Sequence, residues 1–422
     1  MLPDTLGFSD RHRPTEGEHA MNMGTRPYAL AREEGQALVE LLEQEAVPFE
    51  TLHARYGPLL ELVRKLLGVV PNCDPYLEIW PPAFRTYNVM VPNLLNLPLM
   101  VWGLGAPRST VGLAMYVSSR AAGCMYCSAH SCTFALRRGA TVDEVASALD
   151  NAPALTDADR AAVRVARALA VTPAVIDVED RAELRRHFSE TDAEWIVLSI
   201  AMMGFLNKAM DALGVPLEED TVSEVTGVIS PSGWTAGRHM KGAVPPGDPP
   251  GADSLATRFG LIRYAPQAIK LDKAWTEGVP DRWPAVGEYL RQRTGHSFPV
   301  LSHLRHRRAV RAIAVMIEEN LSESVIGLDN KLAAGLIYAH AIGNPSLAQG
   351  LRALGAREPP DSPTQTLARA ISTSPAAVDQ SVLDTSRAIP PAGIVELVTF
   401  VSVLQMLHRL SSFYPTTAQR PR

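Results

Sequence analysis

Cysteine is scarce. It occurs four times in 422 residues, too few to staple a secreted scaffold, so a reducing, cytoplasmic setting is expected. Alternating β-branched runs and tight hairpin dipeptides are scarcer still, which argues against a sheet and leaves an all-α fold. Neither sign of charge dominates: 40 Lys+Arg against 45 Asp+Glu leave a net charge of -5, with no electrostatic case for a nucleic-acid partner. Long unbroken apolar runs are also missing. The opening stretch, MLPDTLGFSDRHRPTEGEHA, has no leader-like apolar core. The run over residues 89–106 is broken by Pro92, Asn93, Asn96 and Pro98. That over 195–206 is about half the length that spans a bilayer, so no membrane association is expected.

What is present is helical patterning in two parts. Hydrophobic residues make up 46% of the chain and charged residues 20%, enough to bury two cores. Residues 1–27 are polar and aperiodic and read as an N-terminal arm. Over 32–67 apolar residues recur at helical spacing, as in Leu59, Leu60, Leu62, Val63, Leu66 and Leu67. The stretch 108–140 reads as a helix, a break near Gly123, and a second helix ended by Gly139. Thr141 and Glu144 have capping-box spacing, and further helices are predicted over 156–170, 180–188 and 192–213. Residues 228–255, rich in proline and glycine, have linker composition. They separate a first helical domain, 28–227, from a second, 256–415.

The second domain echoes the first. Anchoring on Gly139-Ala140 and Gly355-Ala356 places His340 opposite Cys124 and Gly343 opposite Cys127, and Gly327-Leu328 opposite Gly112-Leu113. The helix over 396–409 resembles that over 194–208. On this reading the chain is a tandem duplication whose second copy is degenerate and has lost the cysteine pair.

The densest chemistry lies at residues 124–132, Cys-Met-Tyr-Cys-Ser-Ala-His-Ser-Cys, where three of the four cysteines fall. Cys124 and Cys127 stand three apart, one above the other on a helix. Such a pair can close a disulfide: one thiol attacks, the other displaces the product, and the imidazole of His130 moves the proton. A helix N-terminus is expected to favour thiolate there. Two blander readings stand beside this one. The thiols could be plain core residues. Cys124, Cys127, His130 and Cys132 are also all zinc-ligand types, although one helix cannot readily wrap four ligands around a tetrahedral ion.

The stretch SSRAAGCMYCSAHSCTFALRRGATVDEV resembles the core of the carboxymuconolactone decarboxylase-like superfamily, and within it the alkyl hydroperoxidase D group. AMMGFLNKAMDALGVPLEED is similar to the family's downstream helix. The resemblance covers roughly residues 80–220 and, more faintly, 256–415. It implies an alkyl hydroperoxidase D-like helical fold, a homo-oligomer, and a peroxiredoxin-type alkyl hydroperoxidase. Cys127 would be the peroxidatic thiol and Cys124 the resolving one. A hydroperoxide would be the substrate, a thioredoxin-like or dithiol partner the reductant, and no cofactor would be needed. Two family positions differ. The relay histidine falls on Ser131, with His130 one residue earlier, and the relay glutamate falls on Gly112. No carboxylate occurs between Arg108 and Thr141, so another segment must supply one, with Glu78 in the apolar YLEIW run a candidate, or the relay works without it. Relatives that act as decarboxylases or lactone-processing enzymes without thiols supply the alternative function, and a non-catalytic redox-sensing oligomer a third.

Remaining candidates are assigned more modestly. Cys132 and Cys73 read as core or loop thiols, and Asn207 as structural. Tyr126, Trp80, Phe84 and Tyr87 could line a pocket or fill the core. His303, Arg305, His306, Arg307 and Arg308 read as a solvated helix face.

Overall fold

A computed structural model describes residues 35–150, 153–322, 324–358 and 360–415. The arm expected at 1–27 lies outside them. The described residues are all-α, with no strand among them. After a 3-10 turn at Leu38–Leu41, the first half contains α1 (Phe49–Leu67), α2 (Asp74–Leu77), α3 (Pro81–Leu94), α4 (Arg108–Ala121) and α5 (Met125–Arg137). It continues with α6 (Val142–Ser147), α7 (Asp157–Ala170), α8 (Val178–His187), α9 (Glu190–Leu213) and α10 (Glu219–Ile229). The second half opens with α11 (Leu255–Ile262), α12 (Ala265–Trp275), α13 (Ala285–Thr294) and α14 (Arg307–Ser322). It closes with α15 (Leu328–Ala341), α16 (Pro345–Ala353), α17 (Pro363–Ser372), α18 (Gln380–Ser386) and α19 (Pro391–Phe413).

Local sequence explains most of the boundaries. Thr141 and Glu144 form the expected capping box at α6, and Asp177 with Asp180 forms another at α8. Thr156 and Ser189 cap α7 and α9 through their hydroxyls. Gly123, at φ +73, turns the chain between α4 and α5, and Gly214, at φ +68, ends α9. The helical stretch expected over 32–67 is two pieces, because Pro48 starts α1 afresh after the 3-10 turn.

Two long helices organise the core. α9 and α19 are apolar on nearly every face, so each must be surrounded. They pack against one another, with α4, α3, α14 and α15 around them. Each is long and apolar enough to cross a membrane by composition, and each is almost wholly buried inside the molecule. One continuous apolar core runs through both halves.

The halves match element by element. α4 and α15 have the same length, Gly123 and Gly343 both take positive φ, and Cys124 and Asn344 are the N-caps of α5 and α16. Asp177 and Asp379 cap α8 and α18. Glu194 and Glu396, both buried, accept backbone N–H groups just ahead of α14 and α15, respectively. This corrects the register read from the Gly-Ala anchors: Cys124 pairs with Asn344, not His340, and Cys127 with Leu347, not Gly343. α16 is one turn shorter than α5, which displaces every match counted back from its C-terminal end. The proline- and glycine-rich segment is also more than a connector. It lies along α5, where Trp234 Nε1 donates to Met125 O (3.1 Å), Asp253 N donates to Arg137 O (2.8 Å), and Asp253 pairs with the buried Arg138.

Candidate active site

Cys124 is the N-cap of α5, and its sulfur accepts the Cys127 N–H at 3.2 Å. The pair therefore sits across the first turn of a helix, with both thiols buried and free. Cys127, but not Cys124, lines an apolar cavity of about 130 Å³. A void of that size holds roughly a benzene-sized group. His130 and Tyr126 of α5 share the wall with Cys127, and Cys73 and Tyr87 stand there too. α9 contributes Met202, Met203 and Met210. The far wall comes from α12, through Ala268, Ile269, Asp272 and Trp275. Asp272 accepts from Asn93 Nδ2 (2.7 Å), and Arg308 Nε donates to Asn93 Oδ1 (3.0 Å). Arg308 thus closes one end of the cavity and is no part of a solvated face. His306 likewise stacks on Trp195, their centroids 3.7 Å apart.

The carboxylate that the sequence did not reveal is Glu218. Its Oε2 lies 2.8 Å from His130 Nε2. The contact is off the line of a well-formed hydrogen bond, so it is chiefly electrostatic. Glu218 Oε1 accepts from Asn72 N (2.6 Å) and Tyr126 Oη (3.2 Å). Burial works to raise this carboxyl, but His130 and the Asn72 amide outweigh it and hold the group below its ordinary range. Glu218 occupies the N-cap position of α10 without capping it.

The other candidates fall away for stated reasons. Glu78 is taken by Arg55 and Tyr56 and does not line the cavity. At Gly112 α4 packs directly against α5: a Cβ there would lie 2.5 Å from Ala135 Cα, so no side chain fits. Ser131 donates to Cys127 O within its own helix. Trp80 and Phe84 are core residues, and Tyr87 is the one aromatic of that trio at the cavity. Cys132 is buried away from the cavity, and burial pushes its thiol up to about 12. Asn207 donates to Ser118 O. Among the described residues no cluster of three or more His, Cys, Asp or Glu is disposed to ligate a metal.

The expected low thiol pKa is not what the site provides. Burial pushes Cys127 well above its ordinary value, and neighbouring Cys124 adds to the rise. A helix N-terminus does not compensate for loss of water here. Behind Cys124 stand two buried cations. Lys208 donates to Ser374 Oγ at 2.8 Å, and Arg409 of α19 donates to Ser118 Oγ at 2.6 Å. Burial lowers Lys208 to about 8 and Arg409 to about 10, with the Cys124 sulfur acting in the opposite sense on both. The second half of the chain therefore takes part in the site through α12, Arg308 and Arg409. Next to the Asn72 amide, Asp74 is buried with neither carboxyl oxygen partnered. Burial, then Glu218 and Glu78, raises it to about 8.

No family model and no curated protein matches the sequence. Among solved structures the chain is similar to the debrominase Bmp8. A cysteine-to-alanine variant of that protein in complex with 2,3,4-tribromopyrrole aligns at 24% identity and a TM-score of 0.38, covering 44% of this chain and 96% of that one. The apo form aligns at 26% identity and a TM-score of 0.33, covering 42% and 92%.

Proposed function

We propose that the chain is a thiol-dependent hydroperoxide reductase working through Cys127 and Cys124. One observation carries this reading: Cys127 faces a small apolar cavity beside His130, while its partner Cys124 caps the same helix turn outside the cavity wall. A substrate entering the cavity meets the Cys127 thiol but not that of Cys124, which waits a turn away. Because burial keeps Cys127 protonated at neutral pH, the reaction needs a base. His130, held by Glu218, is the imidazole within reach on the same helix face.

The steps balance as follows. His130 takes the Cys127 proton as the sulfur attacks the distal peroxide oxygen. The O–O bond breaks, the alkoxide is protonated to ROH, and Cys127 becomes a sulfenic acid. The Cys124 sulfur then displaces hydroxide from Cys127, forming the disulfide and releasing water. An external dithiol reduces the disulfide through thiol exchange. The apolar wall favours hydroperoxides with a compact apolar body over hydrogen peroxide.

The test is turnover of cumene hydroperoxide with dithiothreitol as reductant. Cys127→Ser should abolish it, and Cys124→Ser, mixed with peroxide in the absence of reductant, should consume one peroxide per chain and stop at the sulfenic acid. Peroxide consumption by Cys127→Ser at the parent's rate would overturn the reading.

A further inference from the structure

The second half holds a cavity of its own, about 390 Å³. We infer that it is a second ligand site, for a small apolar molecule that carries a hydroxyl group, and that it works without thiol chemistry. The cavity stands at the repeat position of the thiol site. Ser346, Leu347, Gly350 and Leu351 of α16, with its C-cap Leu354, line it. In the register set by Cys124 and Asn344, these match Tyr126, Cys127, His130, Ser131 and Phe134, which all line the first cavity. The attacking sulfur is replaced by a leucine and the base by a glycine, so the redox machinery is gone. The space has grown, because serine and glycine stand where tyrosine and histidine stood. Its volume lies within the usual range of small-molecule sites, and the first cavity falls below it.

Two buried groups on its wall lack partners. His408 sits on α19, and its Nδ1 faces Asn344 Nδ2 at 3.0 Å. Asn344 Oδ1 accepts from Leu347 N, so Nδ2 is the donor and His408 Nδ1 the acceptor. The proton of the neutral ring is then on Nε2, which has no partner. Asn320 donates through Nδ2 to Met316 O and Thr86 Oγ1, leaving its Oδ1 unpartnered. Both residues are more than nine-tenths buried. Both residues line the cavity, each with a buried polar atom that lacks a hydrogen bond, and unmade hydrogen bonds of this kind are costly. A hydroxyl can accept from His408 or donate to Asn320, so an alcohol or phenol with an apolar body suits this wall.

The experiment is calorimetric titration of the full chain with p-cresol and with toluene. Gly350→Phe fills this cavity alone, since a Cβ at Gly350 meets no atom within 4 Å. Ala268→Phe fills the thiol cavity alone. The parent and Ala268→Phe should bind p-cresol in the second cavity at least tenfold more tightly than toluene. Gly350→Phe should lose that binding event, and His408→Phe should reduce the preference for p-cresol over toluene to less than threefold. If Gly350→Phe does not fold, amide exchange on the parent serves instead, and p-cresol should protect α16 and α19. The inference is overturned if p-cresol binding survives Gly350→Phe or vanishes in Ala268→Phe. It is overturned equally if His408→Phe leaves the preference intact, or if exchange in α16 and α19 is unmoved.

Discussion

His130 Nε2 of α5 and Glu218 Oε2, at the N-cap of α10, lie 2.8 Å apart, each more than four-fifths buried. On the proposed function, this pair gives the thiol site its base. Replacing His130 with Ala should slow the reaction of Cys127 with cumene hydroperoxide by roughly 10²–10⁴-fold. Glu218→Gln keeps the shape but removes the charge that orients the ring, and should cost about tenfold to a hundredfold. The double variant should be little worse than His130→Ala alone, because the two act as a unit. Stopped-flow measurement of the three rates checks this; additive losses would show independent roles.

Thiol titration follows from burial. With Cys127 raised above its ordinary range, thiolate forms only as pH rises through that raised value. Alkylation of Cys127 by iodoacetamide in the Cys124→Ser variant should therefore climb about tenfold per pH unit from pH 7 to 9 without levelling. A plateau below pH 8 would mean a stabilised thiolate.

Asp74 makes a prediction about stability. Its carboxyl is raised from 3.8 to about 8 in the folded chain. Between those values the unfolded chain releases the proton and the folded chain keeps it, so stability falls as pH rises. Asp74→Asn is neutral throughout. The variant should match the parent near pH 4 and exceed it on the order of 4 kcal/mol at pH 7. Urea unfolding at the two pH values measures the difference.

Gly112 predicts a failed rescue. A glutamate there would restore the carboxylate that the family resemblance places at this position. The site has no room for it against Ala135. Gly112→Glu should lower stability by about 3 kcal/mol or more through overpacking and buried charge, and should not raise the peroxide rate. Thermal melting together with the rate assay separates the two effects.

The parts legible in the sequence were local. Absent alternation left helices, a capping box marked α6, and the nine-residue cluster at 124–132 pointed to the thiol turn. Glu218 was hidden because it reaches His130 across the fold, from a loop that pattern alone would assign to capping. The raised thiol of Cys127 was hidden because helix position argues one way and burial the other, and only packing shows that burial wins. The repeat register slipped because α16 lost a turn, which a count from its C-terminal end cannot detect. The wall supplied by α12 follows from how the halves share one core, which no local motif encodes.

The most direct measurement is a disulfide map. Reduced chain is mixed with one equivalent of cumene hydroperoxide, quenched by alkylation in acid, digested and weighed. The account predicts a single linked pair, Cys124 with Cys127, and alkylated Cys73 and Cys132. Alkylated Cys124 and Cys127, or a link through Cys73, would contradict it.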